Sequence, residues 1–320
     1  MIHTPATPLL QHSMASTKTS QKSTQLASSL LSHAKLNVED IIGAVAQANG
    51  SLSLSLCERV KAGRPRTLRT ANIETATVNQ LGCGSSADVA SQLSSTGKRK
   101  MLIIINPVSG VKKGVNLWRQ RCAPILAAAD VELVEIITTG TAHATELVQN
   151  LSKEDMQSYD GIVGVGGDGI LYEIIAGFMK RDDWLKSMQE TPLAIIPAGS
   201  GNGLALSILH RKGETRDVES MAYLIARGEV SPMDVCSVDS TNHQTISFLS
   251  TEWALASDID ITSEKYRCCG NFRFTCRGIE LVFCDGCVRN YRGTLHYLPA
   301  DASEDDVETG GSKDSASDST

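Results

Sequence analysis

The stretch that decides the fold is GIVGVGGDGILYEIIAGFM, residues 161–179. Its first five residues are an apolar run that leads directly into a glycine-rich turn around Asp168. A second apolar stretch follows with helical spacing. An apolar run of this length is typical of a strand buried on both faces of a parallel sheet. The segment therefore predicts a strand, a tight loop and a helix in direct succession.

The same pattern recurs on both sides of this segment. Apolar runs predict three further strands, and stretches with helical spacing lie between them. These strands are MLIII at 101–105, VELVEII at 131–137 and LAIIP at 193–197. Repeated βα units indicate a doubly wound α/β domain, in which ligands bind at the carboxyl ends of the strands. We place this α/β domain at residues 99–230.

The alternation ends after residue 230. Apolar runs in MDVCSV, ISFLSTEWALA, RFTCRGIELVF and GTLHYLP predict strands of a second, mainly antiparallel domain at residues 231–300. About 70 residues are few for a sheet domain that must cover its own core. We therefore expect this second domain to be incomplete.

The two ends of the chain differ from its middle in composition. Residues 1–98 are rich in Ser and Thr, and we expect them to be mostly disordered, with candidate short strands in LNVEDIIGAV and SLSLSLCERV. Residues 301–320 are acidic and are expected to form a disordered tail, because such segments bury too little apolar surface to offset chain entropy. This tail accounts for the whole formal net charge of −6. The absence of a basic face argues against nucleic acid as a partner.

The nine Cys residues do not indicate a disulfide framework, because their number is odd and no secretory signal precedes them. The single CxxC motif, Cys284 to Cys287, lacks a second pair at the spacing of a zinc site, so no metal site of this kind is predicted. The sequence has no run of 18 apolar residues, which would be needed to predict a membrane span. We expect a cytoplasmic protein.

Three glycine-containing loops follow predicted strands: NPVSG at 106–110, GVGGDG at 164–169 and PAGSGN at 197–202. Glycine lets backbone N–H groups approach a phosphate closely, and each loop leads into a helix whose N-terminus carries a partial positive charge. One such loop is weak evidence. Three in one sheet favour a nucleotide site.

The central loop also fits G-x-G-x-x-G, the dinucleotide fingerprint. A carboxylate at Asp168 would repel a pyrophosphate, but it suits a base that accepts a proton from a hydroxyl, or a Mg²⁺ ligand. The loop therefore favours phosphoryl transfer over redox chemistry. A Walker A motif is absent, because VSGVKKG at 108–114 lacks the GKS or GKT ending. Glu173 fits both a helix-dipole role and an ATP or Mg²⁺ ligand, and the residues leave this choice open.

Two segments, VGGDGILYEIIAGFM and PLAIIPAGSGNGLALS, resemble the diacylglycerol kinase catalytic superfamily. Further segments are similar to sphingosine kinases: SPMDVCSV, LSTEWALASDIDITSEKYR, GNFRFT and YRGTLHYLP. The resemblance implies a phosphofructokinase-like α/β domain, an antiparallel β-sandwich that holds the lipid, and ATP in the cleft. The implied reaction transfers the γ-phosphoryl group of ATP, with Mg²⁺, to the primary hydroxyl of sphingosine or sphinganine.

The resemblance also implies roles for single residues. Asp168 is the expected catalytic base, and Asp260 is expected to hold the amino-alcohol head group. Substrate and phosphate are expected to contact Gly166, Gly167, Asp168 and Gly169. The expected ATP-binding residues are Asn106, Pro107, Val108, Thr138, Thr139, Gly140, Thr141, Ala142, Glu173, Gly199, Ser200, Gly201, Arg267 and Arg273.

Physical chemistry supports the expected head-group site. A sphingoid base carries an ammonium group, which suits a carboxylate at Asp258 or Asp260. Diacylglycerol has no cation, so a buried carboxylate there would stay unpaired. The alternative is an ordinary pair of loop acids that face water.

Three other features have structural interpretations. Trp253 is expected in the core rather than as a platform for lipid. His143 is expected to be a surface residue at a helix start. The basic cluster at 98–100 is interpreted as solubilising charge beside a buried strand.

Two departures from the family pattern qualify the expected activity. Ser109 stands where the family usually has Gly, and Ser restricts φ. The family continues with more sandwich strands and an Asp-Gly-Glu segment, whereas this chain ends at Thr320. The alternatives are therefore a truncated fragment with weak or absent activity, and a related kinase acting on diacylglycerol or ceramide. A lipid substrate implies transient peripheral contact with a membrane, and the oligomeric state is left open.

Overall fold

The computed structural model describes residues 31–32, 34, 36–59, 61–80, 85–93, 98–110, 114–240, 243–270, 272–284 and 290–294. The chain divides into two compact units, Met1–Thr251 and Glu252–Thr320. The expected disordered segments at 1–30 and 301–320 lie outside the described residues.

The first unit begins with a three-stranded antiparallel sheet in the order β1-β2-β3. Its elements are a 3₁₀ turn (Val38–Asp40), β1 (Ile41–Ala46), β2 (Leu52–Glu58) and β3 (Thr67–Ile73), followed by helices α1 (Thr75–Gln80) and α2 (Ser86–Leu93). The side chains of Leu52, Leu54 and Leu56 are fully buried, while the serines between them are half-buried. This alternation is the period of two that a strand imposes.

The two candidate strands in residues 36–60 are thus present as β1 and β2. The structure adds β3 and two helices, so the described residues between 41 and 93 contain more regular structure than we expected. The sequence did not reveal β3 because its first four residues, Thr67 to Thr70, are exposed and lack an apolar run.

A buried charge cluster joins this sheet to the rest of the unit. The guanidinium of Arg66 donates to Glu214 Oε1 at 2.8 Å, to Asp40 Oδ1 at 2.8 Å and to the carbonyl of Cys57 at 2.6 Å. It also lies 3.6 Å from the ring centroid of Tyr223. The side chains of Arg66 and Glu214 are 8% and 7% exposed. Because a buried charge is costly unless it is paired, this cluster fixes the small sheet in place.

The four strands predicted for the α/β domain are confirmed. They are β4 (Arg99–Ile105), β5 (Val131–Ile137), β6 (Gly161–Gly166) and β7 (Leu193–Pro197). All pairings are parallel, in the order β5-β4-β6-β7. The chain leaves β4 toward one side of the sheet and returns on the other side for β6. This creates a switch point between β4 and β6, where ligands bind in open α/β sheets.

Helices cover both faces of the parallel sheet, which confirms the α/β class. They are α3 (Gly114–Leu117), α4 (Ala123–Ala128), α5 (His143–Asn150), α6 (Lys153–Gln157), α7 (Asp168–Met179), α8 (Trp184–Glu190), α9 (Gly203–Arg211) and α10 (Val218–Arg227), with a π-helical segment, Trp118–Cys122, between α3 and α4. Ile103 of β4 packs in one cluster with Trp118. Its neighbour Ile104 packs in the opposite cluster with Val148 and Phe178. Burial of alternate residues on opposite faces explains the continuous apolar run.

The basic cluster at 98–100 is not simply solubilising charge. Arg99 donates to the carbonyls of Ile225 at 3.1 Å and Ala226 at 2.6 Å, at the end of α10. A cation in this position satisfies helix carbonyls that lack partners within the helix and interacts favourably with the helix dipole. The interpretation of the cluster as solubilising charge is therefore wrong for Arg99.

The antiparallel sandwich predicted for residues 231–300 is not confirmed. Strands β8 (Cys236–Ser240) and β9 (His243–Ser247) form one antiparallel hairpin, which belongs to the first unit. The described part of the second unit contains α11 (Leu255–Thr262), a 3₁₀ segment (Ser263–Cys269), α12 (Phe272–Ile279) and a π-helical segment (Glu280–Cys284). The strand prediction for RFTCRGIELVF is wrong, because periodicity alone does not separate a short apolar strand from a helix.

Residues 295–299, the end of the predicted strand GTLHYLP, lie outside the described residues. The helices of the second unit are short, at eight residues for both α11 and α12. Across the part of the chain that the structure describes, no helix has the length and apolar character required to cross a membrane.

Candidate active site

The three glycine loops meet at the carboxyl ends of β4, β6 and β7. The backbone N–H of Asn106 donates to the carbonyl of Val165 at 3.0 Å, and that of Ala198 donates to Gly166 at 2.9 Å. The N–H of Asp168 donates to the carbonyl of Gly201 at 3.0 Å. These backbone bonds hold the loops together as one surface at the edge of the sheet.

Several of the glycines are required by contact between the loops. A Cβ on Gly199 would overlap the Cα and N atoms of Gly167, and a Cβ on Gly167 would lie 2.5 Å from the carbonyl oxygen of Gly201. Gly110 has a φ of 57°, and a Cβ there would lie 2.8 Å from the carbonyl oxygen of Ala198. From the sequence, we expected these glycines to allow the approach of phosphate. The structure shows that close packing of backbone already requires Gly at all three positions.

Other glycines face open space. Within the described part of the chain, a Cβ on Gly169 or Gly140 would meet no atom within 4 Å, and one on Gly201 would meet a single oxygen of Asp168 at 3.7 Å. Val108 in the first loop is 60% exposed. These are the positions at which a ligand can approach the loop backbone.

Asp168 begins α7 and also caps α9. Its Oδ2 accepts a hydrogen bond from the backbone N–H of Gly203 at 2.6 Å, and its Oδ1 accepts one from Leu204 at 3.1 Å. The first N–H groups of a helix have no partner within the helix, and a carboxylate satisfies them. Each carboxylate oxygen keeps a second lone pair. The half-buried side chain is thus fixed in place and can still accept a hydrogen bond or proton from an alcohol.

The expected ATP-contacting stretch, Thr138, Thr139, Gly140, Thr141 and Ala142, follows β5 at the same edge of the sheet. The N–H of Thr138 donates to the carbonyl of Ile105 at the end of β4 at 2.8 Å. The stretch turns at Ala142, whose φ is 65°. The structure therefore brings this stretch next to the end of β4, where the first glycine loop begins.

Two side chains fix the start of α5 beside this stretch. The Oε2 atom of Glu173 accepts from the N–H of Ala144 at 3.3 Å, and the Nδ1 atom of His143 accepts from the N–H of Thr139 at 3.1 Å. Glu173 therefore accepts a hydrogen bond at the N-terminus of α5, and not at the N-terminus of its own helix, α7. His143, expected to be only a surface residue, contacts the predicted nucleotide stretch.

Two asparagines hold the loop turns. The side chain of Asn106 accepts from the N–H of Val108 at 3.0 Å, across Pro107. Asn202 accepts from the N–H of Gly199 at 3.1 Å and donates to the carbonyl of Gly199 at 2.8 Å, which closes the turn that contains Ser200 and Gly201. This role of Asn202 was not predicted from the sequence. The known preference of Asn for turns was the available signal.

Ser109, the departure from the family pattern, fits its loop without strain. The side chain is buried, and the positive φ falls on the following Gly110. The restricted φ range of Ser is therefore compatible with this loop, because Gly110 and not Ser109 adopts the positive φ.

Two predicted site residues lie in the second unit and contact each other. The Nη2 atom of Arg273 lies 3.6 Å from Oδ1 of Asp260, and Nη1 pairs with Glu264. Asp258 accepts a hydrogen bond from the hydroxyl of Tyr291. Both aspartates lie on α11, so the interpretation as loop acids is wrong. Residues two apart on a helix face different directions, and the two carboxylates therefore do not share one ammonium group.

Trp253 is 63% exposed, so its expected place in the core is wrong. Its ring meets that of Tyr291 edge-on, with the centroids 6.1 Å apart. Gly293 lies against the indole, because a Cβ there would be 2.9 Å from the ring. The side chain of Arg267 lies outside the described residues.

Comparison with known proteins connects these loops to a family. Residues 100–238 match the model of the diacylglycerol kinase catalytic domain. The chain is 35% identical to sphingosine kinase 1 of Arabidopsis thaliana over 63% of this chain and 40% of that protein. It is 36% identical to sphingosine kinase 1 of Homo sapiens over 62% of this chain and 52% of that protein. The chain thus spans about half the length of the curated relatives it matches.

Among solved structures, a putative diacylglycerol kinase from Bacillus anthracis str. Sterne aligns with a TM-score of 0.35 and 28% identity, over 44% of this chain and 45% of that one.

Proposed function

We propose that the chain is an ATP-dependent sphingosine kinase, and we start from the match of residues 100–238 to the model of the diacylglycerol kinase catalytic domain. The proposed reaction transfers the γ-phosphoryl group of ATP to the primary hydroxyl of sphingosine or sphinganine. Its products are a sphingoid base 1-phosphate and ADP. The observation that carries the proposal is the carboxylate of Asp168, held by two backbone amides where three glycine loops meet.

The edge of the sheet suits the triphosphate of ATP. The helices α5, α7 and α9 all begin there, and helix N-termini favour anions. The open backbone at Gly140, Gly169 and Gly201 lets N–H groups come close to phosphate oxygens. These features support binding of the nucleotide along the loops that follow β4, β5, β6 and β7.

Asp168 is the proposed proton acceptor. As the lipid hydroxyl oxygen bonds to the γ-phosphorus, its proton passes to a carboxylate oxygen of Asp168, and the bond from the γ-phosphorus to the bridging oxygen of ADP breaks. The amides of Gly203 and Leu204 hold the carboxylate in one orientation while this happens. A positioned base of this kind contributes about 10²- to 10⁴-fold to the rate.

Mg²⁺ is the proposed cofactor beside ATP. In kinases it is usually bound by one or two carboxylates together with phosphate oxygens and water, rather than by a cage of protein ligands. Within the described residues, no three His, Cys, Asp or Glu side chains are grouped to hold a metal ion. Asp168 and Glu173 are carboxylates near the loops, which fits a cation that arrives with the nucleotide. When bound, Mg²⁺ would neutralise charge that develops on the phosphates.

The residue roles in the second unit rest on the family resemblance. We propose that Asp260 binds the ammonium of the sphingoid base and that Arg267 and Arg273 bind phosphate. The proposed lipid substrate implies transient contact with a membrane surface.

The test is a radiolabelled phosphate-transfer assay on the purified full chain. Sphingosine, diacylglycerol and ceramide are presented separately in detergent micelles with ATP and Mg²⁺. We expect sphingosine to be the preferred acceptor and Asp168→Asn to lower kcat by at least about 10²-fold.

Asp217→Asn is the matched control for this variant. Asp217 caps α10 as Asp168 caps α9, with its Oδ1 accepting from the N–H of Ser220 at 2.8 Å. Both changes replace a capping acid by a capping amide, so we expect similar stabilities and wild-type activity for Asp217→Asn. Equal turnover by the two variants would exclude Asp168 as the base. Preference for diacylglycerol or ceramide would exclude the proposed substrate, and nucleotide binding without turnover would favour the inactive fragment.

A further inference from the structure

Two acids hold the segment that joins α11 to α12. Glu280 accepts hydrogen bonds from Lys265 Nζ at 2.6 Å and from the Tyr266 hydroxyl at 2.9 Å, and it pairs with Arg277 Nη1 at 2.8 Å. The hydrogen bonds from Lys265, Arg277 and Tyr266 lower the pKa of Glu280 to about 2. Glu264, the second acid, pairs instead with Arg273. Glu264 thus contacts α12, while Lys265 and Tyr266 contact the π-helical segment that follows it.

Arg273 lies on α12, and most of its side chain is shielded from solvent. Its side chain is 11% exposed, and its guanidinium carbon lies 4.5 Å from the ring centroid of Phe274. The Nε atom has no hydrogen-bond partner among the described residues. The position of the guanidinium is therefore determined mainly by its acidic neighbours rather than by water.

The guanidinium is shared unequally between two acids. It makes a direct hydrogen bond with Glu264, whereas Asp260 lies 3.6 Å away, beyond hydrogen-bond range. Asp260 is 57% exposed, and its backbone carbonyl accepts from the buried hydroxyl of Ser263 at 2.8 Å. The backbone of Asp260 is thus fixed, and its carboxylate faces outward with Arg273 at its edge.

We propose that Glu264 is a positioning residue that keeps Asp260 available for a cationic head group by holding Arg273 to itself. The inference rests on the proposed function, in which Asp260 binds an ammonium. Two cations compete for one carboxylate, because each stabilises its charged form. Without the charge of Glu264, Arg273 moves onto Asp260, and an ammonium then has to displace a guanidinium.

The experiment compares Glu264→Gln with Glu280→Gln in the full chain. Each substitution removes one acid from the second unit. In the described structure, Glu264 contacts Arg273 and Glu280 does not. We expect Glu264→Gln to raise the KM for sphingosine about tenfold, since hydrogen bonds to charged groups are strong enough for an effect of that size. Because Arg273 is also a proposed phosphate-binding residue, the KM for ATP and kcat are measured separately. Glu280→Gln should leave the KM near the wild-type value at a similar melting temperature.

Two further measurements separate positioning from a merely structural role. N-acetylsphingosine carries the same hydroxyl without the cation, so its KM should respond equally to both substitutions. Glu264→Asp keeps the charge and should restore the KM for sphingosine at least partly, which keeps the test usable where Glu264→Gln folds poorly. A KM for sphingosine that rises equally in Glu264→Gln and Glu280→Gln, or a rise of the same size for N-acetylsphingosine, would overturn the inference.

Failure of the proposed function has a different signature. If the wild-type protein transfers phosphate to no lipid, its binding to sphingosine micelles is measured instead. Tryptophan fluorescence reports the binding. Weaker binding by Glu264→Gln than by Glu280→Gln would then support the inference while the kinase proposal falls. Equal binding by the two variants would overturn the inference as well.

Discussion

Asp168 and Glu214 are two carboxylates of the same unit that are withdrawn from bulk water and stabilised by different partners. Backbone amides of Gly203 and Leu204 hold Asp168. Side chains hold Glu214, which pairs with both Arg66 and Arg59. In the first case the carboxylate lies beside open loop backbone. In the second it lies within a closed cluster.

The difference matches the roles assigned to the two carboxylates: Asp168 is the proposed proton acceptor, whereas Glu214 stabilises the fold through its ion pairs. A carboxylate paired with guanidinium groups is neutralised, and breaking such a pair leaves an uncompensated charge. A carboxylate held by backbone amides stays in position without a neighbouring cation, which leaves it able to accept a proton. Substitution of Asp168 should therefore mainly lower activity, whereas substitution within the Glu214 cluster should mainly lower the free energy of unfolding.

The largest effect on stability is expected from Arg66→Met. This change leaves Glu214 and Asp40 without their shared cation, and removing one partner of a buried pair costs about 3–5 kcal/mol. Denaturant unfolding should show this loss. Arg69→Met is the control, because Arg69 pairs with Glu58 at the exposed surface of the same sheet, where ion pairs contribute little. Equal stability of the two variants would mean that the cluster does not hold the sheet.

A smaller effect is expected from Gly199→Ala, at about 1–3 kcal/mol, because the new Cβ overlaps the backbone of Gly167. Gly169→Ala adds the same methyl group where no described atom lies within 4 Å, so its unfolding free energy should stay near the wild-type value. Thermal unfolding and the phosphate-transfer assay together check the pair. If ligands approach Gly169 as proposed, Gly169→Ala loses activity at unchanged stability. Full activity of that variant would contradict contact with the substrate there.

A loss of about 1 kcal/mol is expected from each of Asp168→Ala and Asp217→Ala, which remove the side-chain caps of α9 and α10. Unfolding measurements should find similar losses, while Asp168→Ala alone abolishes turnover. A much larger loss for Asp168→Ala would show that its main role is to hold the loops.

The smallest effect is expected on the stability of the fold at acid pH. Burial by itself raises the pKa of Glu214, but the hydrogen bonds from Arg66 and Arg59 outweigh it and lower the pKa below its usual value of 4.5. The group therefore contributes stability that is complete above pH 4.5 and is lost as the pH falls through the lowered pKa. Thermal unfolding over this range should show a shallower decline in Glu214→Gln than in the wild type. If the stability of both proteins declines identically with falling pH, groups other than Glu214 cause the acid sensitivity.

The sequence predicted the α/β sheet well because its strands are continuous apolar runs. The same criterion failed for RFTCRGIELVF, where a short apolar run forms a helix. It also failed for β3, whose first four residues are exposed and lack an apolar run. The place of Asp168 beside the glycine loops followed from the order of strands and loops. Its bonds to Gly203 and Leu204 did not, because they depend on two loops that meet only in the folded chain.

The contact between Gly167 and Gly199 has an evolutionary consequence. In most packed pairs, a larger residue on one side can be offset by a smaller one on the other. Here neither partner has a side chain to give up, so no second substitution at the facing position can rescue a change at the first. The two positions are therefore expected to stay glycine together in descendants of this chain, or to change only when the loop lengths change with them.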